Sequence, residues 1–125
     1  MERPCEEPVI RVTAMPADAN PYGDIFGGWL MGLMDHGAGL VAARRSHGRA
    51  VTVAMDGVQF LSPVKIGDEI SVYARLLRVG RTSMKISTET WRRDRHEDEA
   101  SKVTEATFTF VAVDEGGKPR PVEQE

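Results

Sequence analysis

The sequence predicts an α+β fold in which an antiparallel sheet wraps around one long central helix. Three observations carry that expectation. Only one stretch, Phe26 to Ala43, is long, apolar and almost free of charge, so the chain has one long helix. Five other stretches are rich in β-branched residues or alternate apolar and polar side chains, the two-residue period of a strand. The last four of these follow one another mostly through short links, and short links join antiparallel neighbours, because parallel ones need a long crossover. A helix of about 20 residues is about 30 Å long, enough to lie across one face of a curved sheet.

The elements follow in the order β-α-β-β-β-β. Pro8 to Ala14 (PVIRVTA) alternates and is β-branched, a short first strand. Met15 to Asp24 (MPADANPYGD) is dense in Pro, Asn, Asp and Gly, a loop composition. The helix then runs from about Ile25 to Arg45, with Asp24 placed to cap it. Arg44, Arg45 and His47 suit the negative end of the helix dipole, and Gly48 is the expected stop. Val51 to Leu61 is a strand, and Ser62 to Asp68 a turn. Glu69 to Val79 alternates, with Ile70, Val72, Ala74 and Leu76 on one face and Ser71, Tyr73 and Arg75 on the other. Gly80-Arg81-Thr82 reverses the chain into the strand Ser83 to Trp91. Arg92 to Ser101 reads as a charged hairpin connection, and Lys102 to Val113 as the last strand.

A chain of 125 residues makes one domain, here 1–125, with 1–7 as a flexible leader and 115–125 as a polar tail. Charged residues at 28% and hydrophobic ones at 41% are ordinary for a globular protein. The formal net charge of −3 argues against nucleic-acid partners, which need a basic face. The single cysteine, Cys5, cannot close an internal disulfide, so nothing implies an oxidising compartment. No basic start followed by an apolar run marks a signal peptide. No uncharged apolar stretch reaches the roughly 18–20 residues that span a bilayer. The expected location is the cytoplasm, without membrane attachment. His36, His47 and His96 are scattered and Cys5 has no cysteine partner, so no metal site is expected. No Gly-x-Ser-x-Gly nucleophile elbow occurs.

Asp35 is the residue with most to explain. At helical spacing it shares a stripe with Met31, Ala38, Gly39 and Ala42, all apolar or small. Burying a carboxylate there is costly unless something pairs with it or uses it. The helix also carries Gly27, Gly28, Gly32, Gly37 and Gly39, and each interior glycine costs about 1 kcal/mol relative to alanine. Close approach to the sheet or to a partner helix accounts for Gly32, Gly37 and Gly39. At Gly27 and Gly28 two readings stand: close packing, or access of a ligand oxygen to the unpaired N–H groups at the positive helix end.

The segment Asn20-Pro21-Tyr22-Gly23-Asp24-Ile25-Phe26-Gly27-Gly28-Trp29, with Asp35 seven residues after the second glycine, resembles the hotdog-fold acyl-CoA thioesterases, particularly the bacterial YciA-like group. Phe60-Leu61-Ser62-Pro63-Val64, Gly67-Asp68, Val79-Gly80-Arg81-Thr82-Ser83 and Thr104-Glu105-Ala106 extend the resemblance over about Val9 to Arg120. It implies a hotdog fold, hydrolysis of acyl-CoA to free coenzyme A and a carboxylic acid, and no cofactor, since coenzyme A belongs to the substrate. It also implies a homodimer assembling into a homohexamer. Asp35 then acts as general base or as a nucleophile giving a mixed anhydride. The Gly28 N–H, with or without that of Trp29, is the oxyanion donor. Asn20 matches the family asparagine beside the thioester, although Asn-Pro also favours a turn by itself. Gly80, Arg81, Thr82 and Ser83 correspond to a coenzyme A-contacting segment, and Arg75, Arg78, Arg81 and Lys85 make that hairpin basic enough for phosphates. Arg49 and Lys65 are weaker candidates. The acyl chain's length would be set by the packing of Trp29, Met31, Met34, Tyr73 and Trp91. Related dehydratases place a histidine early in this segment, where this chain has Asp24. Two alternatives remain: a non-catalytic acyl-CoA-binding or sensing module, and a thioesterase for carrier-linked acyl groups that relaxes the need for Arg81.

Overall fold

Strand β1 (Ile10–Thr13), helix α1 (Gly27–Ser46) and strands β2 (Ala50–Phe60), β3 (Glu69–Val79), β4 (Ser83–Arg93) and β5 (Ala100–Ala112) follow in the expected order. The structure, a computed structural model, describes residues 3, 4 and 6–124. Cys5 and part of the expected leader lie outside the described residues. The strands form one antiparallel sheet in the order β1-β3-β4-β5-β2. Helix α1 packs on β2, β3, β4 and β5. Among the described residues, no helix is long and apolar enough to cross a membrane.

The helix buries Leu30, Met34, Gly37, Ala38, Ala42 and Ser46, a stripe of three- and four-residue steps. Met34, Ala38 and Ala42 meet Val72, Met84, Ile86 and Phe108 from the sheet. Gly37 is where backbone and sheet come closest. A methyl group there would stand 2.7 Å from Val9 Cγ2 and 3.3 Å from Val72 Cγ1. Alternation on β3 holds as read: Ile70 and Val72 enter the cores on the helix side, and Ser71 and Tyr73 face away.

Four features differ from expectation. Strands β2 and β3 follow one another in the chain but are not neighbours in the sheet: β2 pairs with β5 while β3 lies between β1 and β4, and the link 61–68 is not the tight turn that holds a hairpin together. The helix begins at Gly27 rather than about Ile25, and no side chain caps it, its N-cap residue being Phe26. Asp24 instead bonds and ion-pairs with Lys65 across an isolated bridge. The charged connection is shorter than 92–101, because β4 runs to Arg93 and β5 starts at Ala100. Cross-strand acids draw those arginines onto the sheet: Arg93 donates to Glu69 at 2.7 Å and Arg92 to Asp68 at 3.4 Å. The tail is packed, with Val122 only 3% exposed and part of the main core. A lone valine among polar residues carries no periodic signal, so its burial was not legible.

Strand β2 is a free edge and is bent twice, at Thr52/Ala54 and at Asp56/Gln59, with Gly57 at φ 65° in the second irregularity. Val53, Met55, Phe60 and the following Leu61 are exposed on or beside it. An apolar edge with open backbone groups is a surface for pairing with another strand.

Candidate active site

Asp35 sits on the flank of the buried helical stripe, half-buried rather than enclosed. Its Oδ1 accepts a 2.5 Å hydrogen bond from Thr52 Oγ1. Among the described residues it forms no ion pair, so its charge is oriented but not neutralised. Thr52 lies opposite Phe110 near the start of β2, beside the first irregularity and on the open edge of the sheet. The carboxylate therefore stands where a second chain would arrive. Thr52 was not singled out from sequence, because a threonine between two valines is explained by strand propensity alone.

The loop before α1 is organised by Asn20. Its Oδ1 accepts the N–H groups of Tyr22 at 2.9 Å and Asp24 at 3.1 Å, while its own N–H donates to Asp24 O. With the carbonyl oxygen used by the turn, the side-chain NH₂ is left without a protein partner among the described residues. Both readings of Asn20, turn architecture and contact group, thus fit one geometry.

At the helix start the two glycines part company. A methyl group on Gly27 would meet the Phe60 ring at 3.1 Å, so Gly27 serves close packing. One on Gly28 would meet nothing within 4 Å. Trp29 N and Leu30 N both donate to Phe26 O, whereas Gly28 N–H has no protein partner among the described residues. An open, unpaired donor in the first helical turn is suited to an oxyanion. Beside it opens a cavity of about 410 Å³, lined by Ile25, Gly27, Leu30, Phe60, Leu61 and Val64 among others. None of the five residues expected to set the acyl chain's length is among its lining residues. Met34 is enclosed in the core, and Tyr73 and Trp91 lie on the far face of the sheet.

The β3–β4 turn holds Gly80, Arg81, Thr82 and Ser83 together. Gly80 N–H donates to Ser83 O at 2.8 Å, and a methyl group on Gly80 would stand 2.9 Å from Ser83 Oγ. Arg81 is exposed. Arg78 and Lys85 are cross-strand partners, and neither has an acidic partner among the described residues. Like charges placed opposite each other are mildly destabilising and favour an anion nearby. Arg75 is instead bonded at 2.8 Å to Glu6, whose carboxyl is held below its usual range by that guanidinium.

One chain does not bring all these groups together. Asp35 and Gly28 are seven residues apart on one helix, about 10 Å along its axis at 1.5 Å per residue. A reacting carbon needs its base and its oxyanion donor each within about 3 Å of the reacting atoms.

Comparisons with known proteins place this geometry in context. The family model described as the Thioesterase superfamily matches residues 22–99. An uncharacterised acyl-CoA thioester hydrolase of Zymomonas mobilis is 60% identical over 116 residues, covering 93% of this chain and 78% of that protein. The acyl-CoA thioester hydrolase YciA of Escherichia coli is 49% identical over 120 residues, covering 92% and 91%. Among solved structures, an aspartate-to-alanine mutant of HI0827, a hexameric broad-specificity acyl-coenzyme A thioesterase, superposes with a TM-score of 0.90 at 43% identity, covering 94% of this chain and 87% of that one.

Proposed function

The chain belongs to the thioesterase superfamily, and from that premise we propose that it hydrolyses acyl-CoA thioesters to coenzyme A and a carboxylic acid, with Asp35 as the group that starts the reaction. The observation that carries this reading is the Asp35 carboxylate, oriented by Thr52 at the open sheet edge and free of any neutralising cation among the described residues. Here one oxygen is tethered and the other is left for water.

As general base, Asp35 takes a proton from water as the water oxygen bonds to the thioester carbon. The carbonyl oxygen gains negative charge and is met by the Gly28 N–H at the positive end of α1. The C–S bond then breaks, and the proton passes to the departing sulfur. As nucleophile, the same carboxylate would form the carbon–oxygen bond itself as the C–S bond breaks and the thiolate leaves; water then opens the anhydride, regenerating the carboxylate and supplying the proton taken up by the thiolate. Asn20, its NH₂ without a protein partner among the described residues, suits a carbonyl or water beside the thioester. The turn Gly80–Ser83, with Arg81, Arg78 and Lys85, would hold the phosphates. No cofactor is called for.

The roughly 10 Å between Asp35 and Gly28 is bridged by a second copy. Thr52 and Asp35 meet near the start of β2, and Phe60 and Gly27 meet at its end. Antiparallel pairing of two identical β2 edges sets the start of one strand against the end of the other. Asp35 of one chain then faces the Asn20–Gly28 segment of the second. The dimer so formed is the unit we propose to build a hexamer, the assembly of the related HI0827. The direct test is thiol release from a panel of acyl-CoAs by the wild type and by Asp35→Asn. Turnover should fall by about 10²–10⁴-fold, the usual worth of a positioned base, with folding and assembly intact. Near-normal turnover would remove Asp35 from the chemistry.

A further inference from the structure

The segment after β5 does more than end the chain. Val113 and Pro119 form an isolated bridge, Asp114 N–H donates to Lys118 O, and Arg120 N–H donates to Ala112 O, so the chain folds back on itself. The Arg120 guanidinium then spans three places. Nε donates to Val113 O at 2.9 Å, Nη1 to Ser46 O at 3.0 Å, and Nη2 to Ser46 Oγ at 3.3 Å and Arg49 O at 3.2 Å. The end of α1 and the approach to β2 are thereby tied to the end of β5. A methyl group on Gly48 would stand 2.6 Å from Arg120 Nη2, so the glycine at this helix end makes room for the clamp.

Beyond that clamp the segment reaches the β3–β4 turn. Val122 N–H donates to Arg81 O at 2.8 Å and Gln124 Nε2 to Gly80 O at 3.2 Å, while Ala112 N–H donates to Thr82 O at 2.9 Å. Three consecutive carbonyls of the turn are thus held by residues 112–124. In a trans peptide the C=O and the following N–H point in opposite directions. Pinning Gly80 O and Arg81 O to the strap therefore turns the N–H groups of Arg81 and Thr82 away from it, and neither has a protein partner among the described residues. Successive unpartnered N–H groups beside an exposed guanidinium make an anion-receiving surface.

We propose that residues 120–124 are a positioning strap: Arg120 anchors it to the end of the catalytic helix, and Val122 and Gln124 orient the Arg81 turn toward the phosphate-bearing half of the substrate. The strap touches no reacting atom and acts through the turn. This rests on the reading of Gly80–Ser83 as the coenzyme A grip.

The test compares Gln124→Ala, Val122→Ala/Gln124→Ala and Arg81→Ala on an acyl-CoA and on the matching S-acyl-pantetheine, which lacks the nucleotide. Gln124 is exposed, so its single substitution leaves the fold intact. The strap variants should raise KM for the acyl-CoA about two- to tenfold, the range that loss of the Gln124 hydrogen bond supports, and the double variant more than the single one because it also loosens the Val122 side chain that seats the strap in the core. Their kcat, and their KM for the pantetheine ester, should stay at the wild-type values. Combined with Arg81→Ala they should add little, since both act on one contact. An equal rise on both substrates, a loss confined to kcat, or an unchanged KM overturns the strap. If Arg81→Ala alone raises KM for the acyl-CoA, the grip stands and only the strap falls. If Arg81→Ala does not distinguish the two esters, the grip falls and the strap's role falls with it.

Discussion

Thr52 donates to Asp35 across the gap between β2 and α1, and that bond is the smallest unit on which the proposed chemistry turns. A hydrogen bond to a charged group contributes about 1.5–3 kcal/mol, and Thr52→Val removes it while keeping the shape. Steady-state kinetics should show kcat lowered about ten- to hundredfold, with KM little changed; an unaltered kcat would mean the carboxylate needs no tether. Gly28 offers a second test at this scale. Because an added side chain there meets nothing within 4 Å in its own chain, Gly28→Val should fold normally. Its bulk would screen the free N–H and cut kcat about 10²–10³-fold, the usual cost of losing an oxyanion donor. Asp35 was legible in the sequence because a carboxylate on an apolar stripe is chemically conspicuous. Thr52 was not, because a strand threonine has an ordinary reason to be where it is.

At the scale of elements, β2 and α1 act as one unit running antiparallel, with Asp35 against Thr52 toward one end and Gly27 against Phe60 at the other. The edge of β2 is apolar and exposed at Val53 and Met55. A lysine on such an edge opposes strand pairing, so Val53→Lys should reduce the assembly to monomers in light scattering. Secondary structure should be unchanged by circular dichroism, and activity should be lost with the assembly. Full turnover by a monomer would sink the shared-site reading. The strand periodicities and the single helix were readable because burial on one face imposes a period of 2 or 3.6. The missing cap was not, since Asp24 has a capping residue's chemistry but is drawn to Lys65, far along the chain.

For the molecule as a whole, the decisive question is whether one site needs two chains. Asp35→Asn and Gly28→Val each remove a different half of every site. Mixed after denaturation and refolding, half the resulting dimers hold one of each chain, and one of their two sites is wholly native. Recovered activity should therefore approach about one quarter of the wild-type value, although each parent alone is nearly inactive. No recovery would show that base and oxyanion donor come from one chain. Among the described residues Arg81, Arg78 and Lys85 have no acidic partner, while Arg75 is taken by Glu6, so the uncompensated cations cluster near the β3–β4 turn.

Composition and periodicity alone determined one long helix, five strands and the anomaly at Asp35, because local hydrophobic pattern answers directly to which face is buried. The family likeness added the reaction class and the expectation of a glycine donor. Only the tertiary structure decided which glycine is open, that Thr52 holds the carboxylate, that Tyr73 and Trp91 are turned away from α1, and that Val122 belongs to the core. Each of these depends on contacts between residues distant in sequence, and no local pattern encodes which distant partner a side chain will meet.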